Sequence, residues 1–245
     1  MSEHLILEGF ISIAAALEAQ SRPVHAVYIR EDKRDADALK ITRRATASGV
    51  PVERVDMAVI AAHTSGTSHG GIIALAGERQ TLTLAALLES SDNPFIVMLD
   101  GVEDPFNYGQ AIRAFYAAGA HGLVVRPRNW MSTAGIVARA SAGASERIRV
   151  ALAQSAEEAA AFYREQGLTI AVADAHRAIS IYEADLTAPL FLLVGGEKRG
   201  VTRSFADKAD LRLKIPYGRA FDHDLGTTAA SAALAFEIMR QRQAT

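Results

Sequence analysis

Near its C-terminus the chain reads F-D-H-D-L-G-T-T-A-A-S-A-A-L-A, from Phe221 to Ala235. Asp222, His223 and Asp224 are residue types that bind metals or move protons. A metal needs further ligands in a matching arrangement, which a three-residue cluster does not supply, so no metal is expected here. Aspartates ahead of a helix N-terminus also complement its dipole, so a purely structural role fits the same residues. Thr227 or Thr228 can cap the helix that follows. A second stretch, D-G-V-E-D-P-F-N-Y-G-Q-A-I-R, runs from Asp100 to Arg113. Asn107 stands where a side-chain oxygen can cap the next helix, and Arg113, nearly two turns on, can return to the mouth of a site. A capped helix with a surface arginine would read the same way. The third stretch, L-L-V-G-G-E-K-R-G-V from Leu192 to Val201, has adjacent glycines that let a backbone approach a ligand closely. It matches neither the dinucleotide fingerprint nor the phosphate loop.

Each of these stretches follows an apolar run, which identifies the elements that must position them. From Pro94 onward the pattern predicts strands at 95–99, 122–125, 169–173, 190–194 and 211–215, with helices at 108–118, 133–141, 156–166 and 227–240. Strands interleaved with helices predict a largely parallel sheet covered on both faces, with ligands at the carboxyl ends of its strands. The first part alternates too: helix 7–20, strand 24–29, helix 35–48 and strand 70–76, a small α/β unit. Between Ala61 and Gly71 a Gly/Ser/Thr-rich segment carries His63 and His69 at no recognisable metal spacing and predicts an exposed loop. The polar segment 87–93 before Pro94 is the expected boundary, giving domains 1–88 and 89–245.

Composition narrows the class. With 49% hydrophobic residues the chain can fill a core, and its apolar runs, such as 95–99, are far shorter than the roughly 20 residues of a membrane helix. Without a basic, apolar leader and without cysteine, a cytoplasmic protein is expected. Lys and Arg total 26 against 28 Asp and Glu, so overall charge gives no sign of nucleic-acid binding. Locally, Arg126, Arg128, Arg139, Arg147 and Arg149 stand with only Glu146, a basic segment that reads equally as a solvated face or a binding face.

Taken in order, the stretches resemble the signature motifs of the SpoU/TrmH family of RNA 2′-O-ribose methyltransferases, in the SPOUT superfamily. The D-P-x-N-x-G-x-x-x-R motif is carried by Asp104, Pro105, Asn107, Gly109 and Arg113. L-x-x-G-x-E-x-x-G is carried by Gly195, Glu197 and Gly200, and the I-P start of the last motif by Ile215 and Pro216. The stretch R-A-S-A-G-A from Arg139 to Ala144 is similar to the family's K-A-S-x-G-A, and the first 88 residues resemble a ribosomal-protein-like RNA substrate-binding domain.

The resemblance implies an α/β fold whose SPOUT-type parallel sheet carries a deep trefoil knot, and a homodimer acting on rRNA or tRNA. It implies S-adenosylmethionine as cofactor, held at Gly195, Gly196, Ile215, Pro216, Leu225 and Thr227. Asn107, Arg113 and Glu197 would line the reacting centre, and Asp224, which stands where the family has serine, would act there as base or hydrogen-bond acceptor. Family proposals make the arginine a base; a guanidinium with a pKa above about 12 is better suited to positioning a phosphate. Where the family has S-L-N, this chain has Asp224-Leu225-Gly226. That departure leaves two readings: a divergent active methyltransferase, or an inactive SPOUT-fold RNA-binding protein.

Overall fold

The computed structural model describes residues 4–64, 66–127, 133–174, 177–196 and 200–244. In chain order the elements are β1 (Leu5–Glu8), α1 (Gly9–Ala19), β2 (Val24–Arg30), α2 (Ala36–Ala47), β3 (Val52–Val55), α3 (Met57–His63) and β4 (Ile72–Ala76). Then come β5 (Phe95–Asp100), α4 (Pro105–Ala117), β6 (Gly122–Val125), α5 (Ala134–Ala140), α6 (Ala144–Arg147), β7 (Arg149–Leu152) and α7 (Ala156–Glu165). The last are β8 (Thr169–Ala173), β9 (Ile179–Ser180), β10 (Leu190–Gly195), α8 (Arg203–Ala206), β11 (Leu211–Lys214) and α9 (Thr227–Gln243). No helix among the described residues is long and apolar enough to cross a membrane.

The chain divides into two compact units, and not by a single cut at residue 88. One unit is Met1–Gln80 together with Asn129–Arg147; the other is Thr81–Arg128 together with Ile148–Thr245. The reason lies in the small residues of α5 and α6, which belong to the first unit. A Cβ added to Gly135 would lie 2.5 Å from the Ile6 carbonyl oxygen, and one on Gly143 2.6 Å from the Ala15 Cβ. Ala134 and Ala138 join Leu5, Leu7, Ile13 and Leu17 in the core of this unit. Its sheet runs β1-β4-β2-β3, antiparallel except for the β2/β3 pair.

A buried ion pair also ties α6 to this unit. Arg22 meets Glu146 at 2.9 Å, with the two side chains 5% and 1% exposed, and Ser21 Oγ donates to the same carboxylate at 2.6 Å. Arg79 adds a second guanidinium at 3.6 Å. Burial alone would raise the Glu146 pKa, but the paired guanidinium of Arg22, with Arg79 and Ser21, holds it below the usual carboxylate value.

The second unit has the parallel sheet that the apolar runs predict, in the order β7-β6-β5-β10-β8-β11-β9, with every pair parallel. Its central strands are apolar on both faces because both are covered; β5 and β10 are buried along all but their last residue. Tyr163 of α7 stacks on Phe191 of β10 at 5.2 Å and donates its hydroxyl to the Leu84 carbonyl at 3.2 Å.

Several elements differ from the sequence expectation. The helix expected from Leu7 is interrupted: Leu5–Glu8 is a strand, and Gly9 at φ 79° turns the chain into α1. β3 (V-E-R-V) and β7 (R-V-A-L) occupy the outer positions of their sheets and have no clean alternation, so their polar residues hide the strand pattern. The 61–71 loop is not uniformly exposed, since His69 is 2% exposed and its Nδ1 accepts the Gly71 N–H at 2.9 Å.

Because Arg22→Ala would leave the Glu146 charge buried without its main partner, it should destabilise the first unit by about 3–5 kcal/mol in chemical denaturation. With the native Glu146 pKa lowered, the pair's contribution is complete above the ordinary glutamate pKa of about 4.3 and is lost as pH falls through the native value. Acid titration of wild-type and Arg22→Ala unfolding midpoints should therefore converge below that pH; parallel curves would refute the role given to the pair.

Candidate active site

At the middle of the parallel sheet the order reverses: β5, β6 and β7 step to one edge, while β10 lies on the other side of β5 with β8 beyond it. In open α/β sheets such a switch leaves a crevice at the strands' carboxyl ends. Here Asp100 ends β5 and Gly195, its register partner, ends β10. Among the described residues, the turns that follow meet through their backbones. The Gly196 N–H donates to the Asp100 carbonyl at 2.8 Å, and the Gly200 N–H donates to the Gly196 carbonyl at 2.8 Å. A Cβ on Gly196 would overlap the Gly101 carbonyl, and one on Gly195 would overlap the backbone of Gly200. Gly101 itself has φ 75°, a conformation that favours glycine.

The sequence missed one partner at this junction. Arg126 and Asp100 each stand two residues beyond the Met98–Val124 register pair of β5 and β6, and their side chains meet at 2.7 Å. The signal was present in the spacing, because both residues end apolar runs that become neighbouring parallel strands. Arg139 pairs with Glu8 at 2.5 Å, Arg147 with Glu18 at 2.8 Å and Arg149 with Glu89 at 4.0 Å. The basic segment is therefore largely neutralised by carboxylates distant in sequence, which favours the solvated-face reading; Arg128 lies outside the described residues.

The helix after the first motif begins earlier than expected. Asp104, not Asn107, caps α4: its side chain accepts the Asn107 N–H at 2.7 Å, with Pro105 at the first helical position. Asn107 is half-buried inside the first turn and Arg113 is exposed on the same helix. The Asn107 carbonyl accepts from Thr228 Oγ1 at 3.5 Å, so the starts of α4 and α9 lie together. The two helices pack against each other.

Thr227 and Thr228 do not cap α9; its N-cap is Gly226, which has no side chain to accept an amide. Thr227 is buried at the first helical position, whereas Pro216, Asp224 and Leu225 are exposed and Ile215 is half-buried. The Leu225 N–H donates to the Tyr217 hydroxyl at 3.1 Å. The structure thus brings Gly195 and Gly196 to Asp100 and Gly101, and Asn107 to Thr228. Arg113 and Asp224 are placed on exposed surface, and Glu197 lies outside the described residues. Among the described residues no group of three His, Asp or Glu side chains is arranged to hold a metal.

A methyl at residue 196 has no room unless the β5 and β10 turns part. Gly196→Ala should therefore lower the stability of the second unit by at least about 1 kcal/mol and weaken ligand binding at the junction, read by thermal unfolding and calorimetry together. Wild-type values in both would show that the two turns are free to separate.

Comparison with known proteins places this geometry. Residues 94–222 match the SpoU rRNA Methylase family, and residues 6–82 match the family described as RNA 2′-O ribose methyltransferase substrate binding. The 23S rRNA (guanosine-2′-O-)-methyltransferase RlmB of Shewanella oneidensis is 26% identical over 99% of this chain and 100% of that protein. RlmB of Yersinia pestis is 28% identical over 99% of this chain and 98% of that protein. Among solved structures, the SpoU methyltransferase AviRb from Streptomyces viridochromogenes, in complex with AdoMet, superposes with a TM-score of 0.81 at 20% identity, covering all of this chain and 92% of that one. The two share a fold. With more than half its length inside the methylase match, the chain belongs to the SpoU rRNA methylase family.

Proposed function

We propose that this protein transfers a methyl group from S-adenosylmethionine to a ribose 2′-hydroxyl of structured RNA, rRNA or tRNA. The observation that carries the reading is the glycine junction at the ends of β5 and β10. Gly101, Gly195 and Gly196 let the turns after β5 and β10 pack backbone against backbone, and the surface at this switch point of the sheet is where open α/β sheets bind their ligands. That surface fits the cofactor, which Gly195, Gly196, Ile215, Pro216, Leu225 and Thr227 would hold, mainly through backbone groups. The family relatives named above support the substrate class.

The cofactor supplies an electrophilic methyl on a positively charged sulfur, so the protein's share is orientation and proton removal. Arg113, exposed on α4, positions the target phosphate through a charge-assisted contact. Asn107, close to the start of α9, orients the ribose, a task it would share with Glu197. Asp224 accepts the hydrogen bond, and at transfer the proton, of the attacking hydroxyl. Transfer would leave the methyl on the ribose oxygen, with the displaced proton held by Asp224.

Residues 1–88 bind the RNA substrate, and residues 89–245, whose α5 and α6 pack with the first unit, carry the methyltransferase machinery in a trefoil knot. Exposed Phe106 and Tyr116 on α4 and Phe236 on α9, 54%, 39% and 44% exposed, support a homodimer formed on these two helices. The protein works in the cytoplasm, where its RNA is found. The second reading, a binding protein without transfer, is favoured only by the Asp224-Leu225-Gly226 departure.

Calorimetry with S-adenosylmethionine and tritium transfer to ribosomal and transfer RNA pools test the activity. Wild-type protein should bind the cofactor and label a ribose; RNA binding without label would establish the second reading. Arg113→Ala should lower transfer by about 100-fold while sparing cofactor affinity, and Asp224→Asn should lower it on the order of 100-fold or more. Full activity in either variant removes that residue from the mechanism. Sedimentation equilibrium should give twice the chain mass, and a monomer at working concentration would dismiss the dimer.

A further inference from the structure

Between β11 and α9 the stretch 215–226 contains no helix or strand, and residues 216–226 are all exposed. Among the described residues none of 216–226 donates a backbone hydrogen bond to another backbone carbonyl. The stretch is held by side chains instead. The Leu225 N–H donates to the Tyr217 hydroxyl at 3.1 Å, closing the loop across eight positions. Behind that bond the Tyr217 ring lies 6.0 Å from Phe221, and Phe221 meets the His223 ring edge-on at 5.4 Å. Gly226 offers no side chain to the start of α9. The order of the segment before the helix therefore depends on a phenol reaching back from the far end of the loop.

We propose that Tyr217 is a positioning residue for cofactor binding: its hydroxyl fixes the Leu225 amide, and the Tyr217-Phe221-His223 ring contacts hold the loop in its closed form. This rests on the methyltransferase reading, in which Leu225 faces the cofactor. A loop already closed loses less freedom when it binds, so the gain belongs to affinity and not to the chemical step. Tyr217→Phe keeps the ring and removes only the hydrogen bond. Tyr217→Leu removes both the bond and the aromatic contact.

The test uses the full-length chain. Without cofactor, the Leu225 amide, followed by NMR hydrogen exchange, should exchange about three- to tenfold faster in Tyr217→Phe than in wild type. The Kd for S-adenosylmethionine should rise by a similar factor, with kcat at saturating cofactor unchanged, and Tyr217→Leu should bind more weakly still. Unchanged exchange or unchanged Kd in Tyr217→Phe overturns the assignment, as does a lowered kcat with Kd intact, which would put the phenol in the chemistry. If wild type binds no cofactor while exchange still separates the variants, the methyltransferase reading has failed and the positioning role falls with it, although the loop closure itself is real.

Discussion

The arrangement of the parallel sheet turns on one steric constraint: the turns after β5 and β10 approach so closely that no side chain fits between them. The Gly196 N–H reaches the Asp100 carbonyl at 2.8 Å, and an added Cβ would overlap Gly101. The backbone groups of the two turns bond each other directly, Gly196 N–H to the Asp100 carbonyl and Gly200 N–H to the Gly196 carbonyl. This contact also fixes the relative height of the two strand ends, since Gly195 and Asp100 are register partners. The elements that carry the candidate chemistry, α4 after the first turn and α9 after β11, are anchored around this junction by the Asn107–Thr228 contact and by helix packing.

The first unit uses a different device for a similar problem. Its second chain segment, α5 and α6, is seated by glycine and alanine against β1 and α1, then locked by Arg22 on Glu146. Small residues permit the approach, and the buried pair specifies its position, because a charge left alone there would be costly. The same segment holds Arg139 and Arg147 of the stretch that looks in sequence like a cationic patch, whose Arg126 and Arg149 lie in the second unit. Three-dimensional pairing with Glu8, Glu18 and Glu89 cancels most of that charge, so RNA recognition must draw on other surfaces or on the target's shape.

Much of the catalytic half was legible because its strands are buried on both faces and so read as unbroken apolar runs, as Phe95–Asp100 and Leu190–Gly195 do. Edge strands escaped notice, since β3 and β7 pack on fewer sides and tolerate polar residues. Two caps were misassigned: Asp104, three residues before Asn107, caps α4, and Gly226 caps α9, whose start at Thr227 is as expected. Both errors arise because several polar residues in a row can cap, and the backbone conformation alone decides which one does.

By itself the sequence determined the parallel sheet, the three loops at its carboxyl edge and the order of motifs that names the family, because these depend on local pattern and spacing. Only the tertiary structure decided that α5 and α6 belong with the first unit, that Asp100 meets Arg126, and that Tyr217 holds Leu225. Each of those is a contact between groups whose partner cannot be chosen from spacing alone: many acids could have answered each arginine, and only the folded backbone brings one within reach.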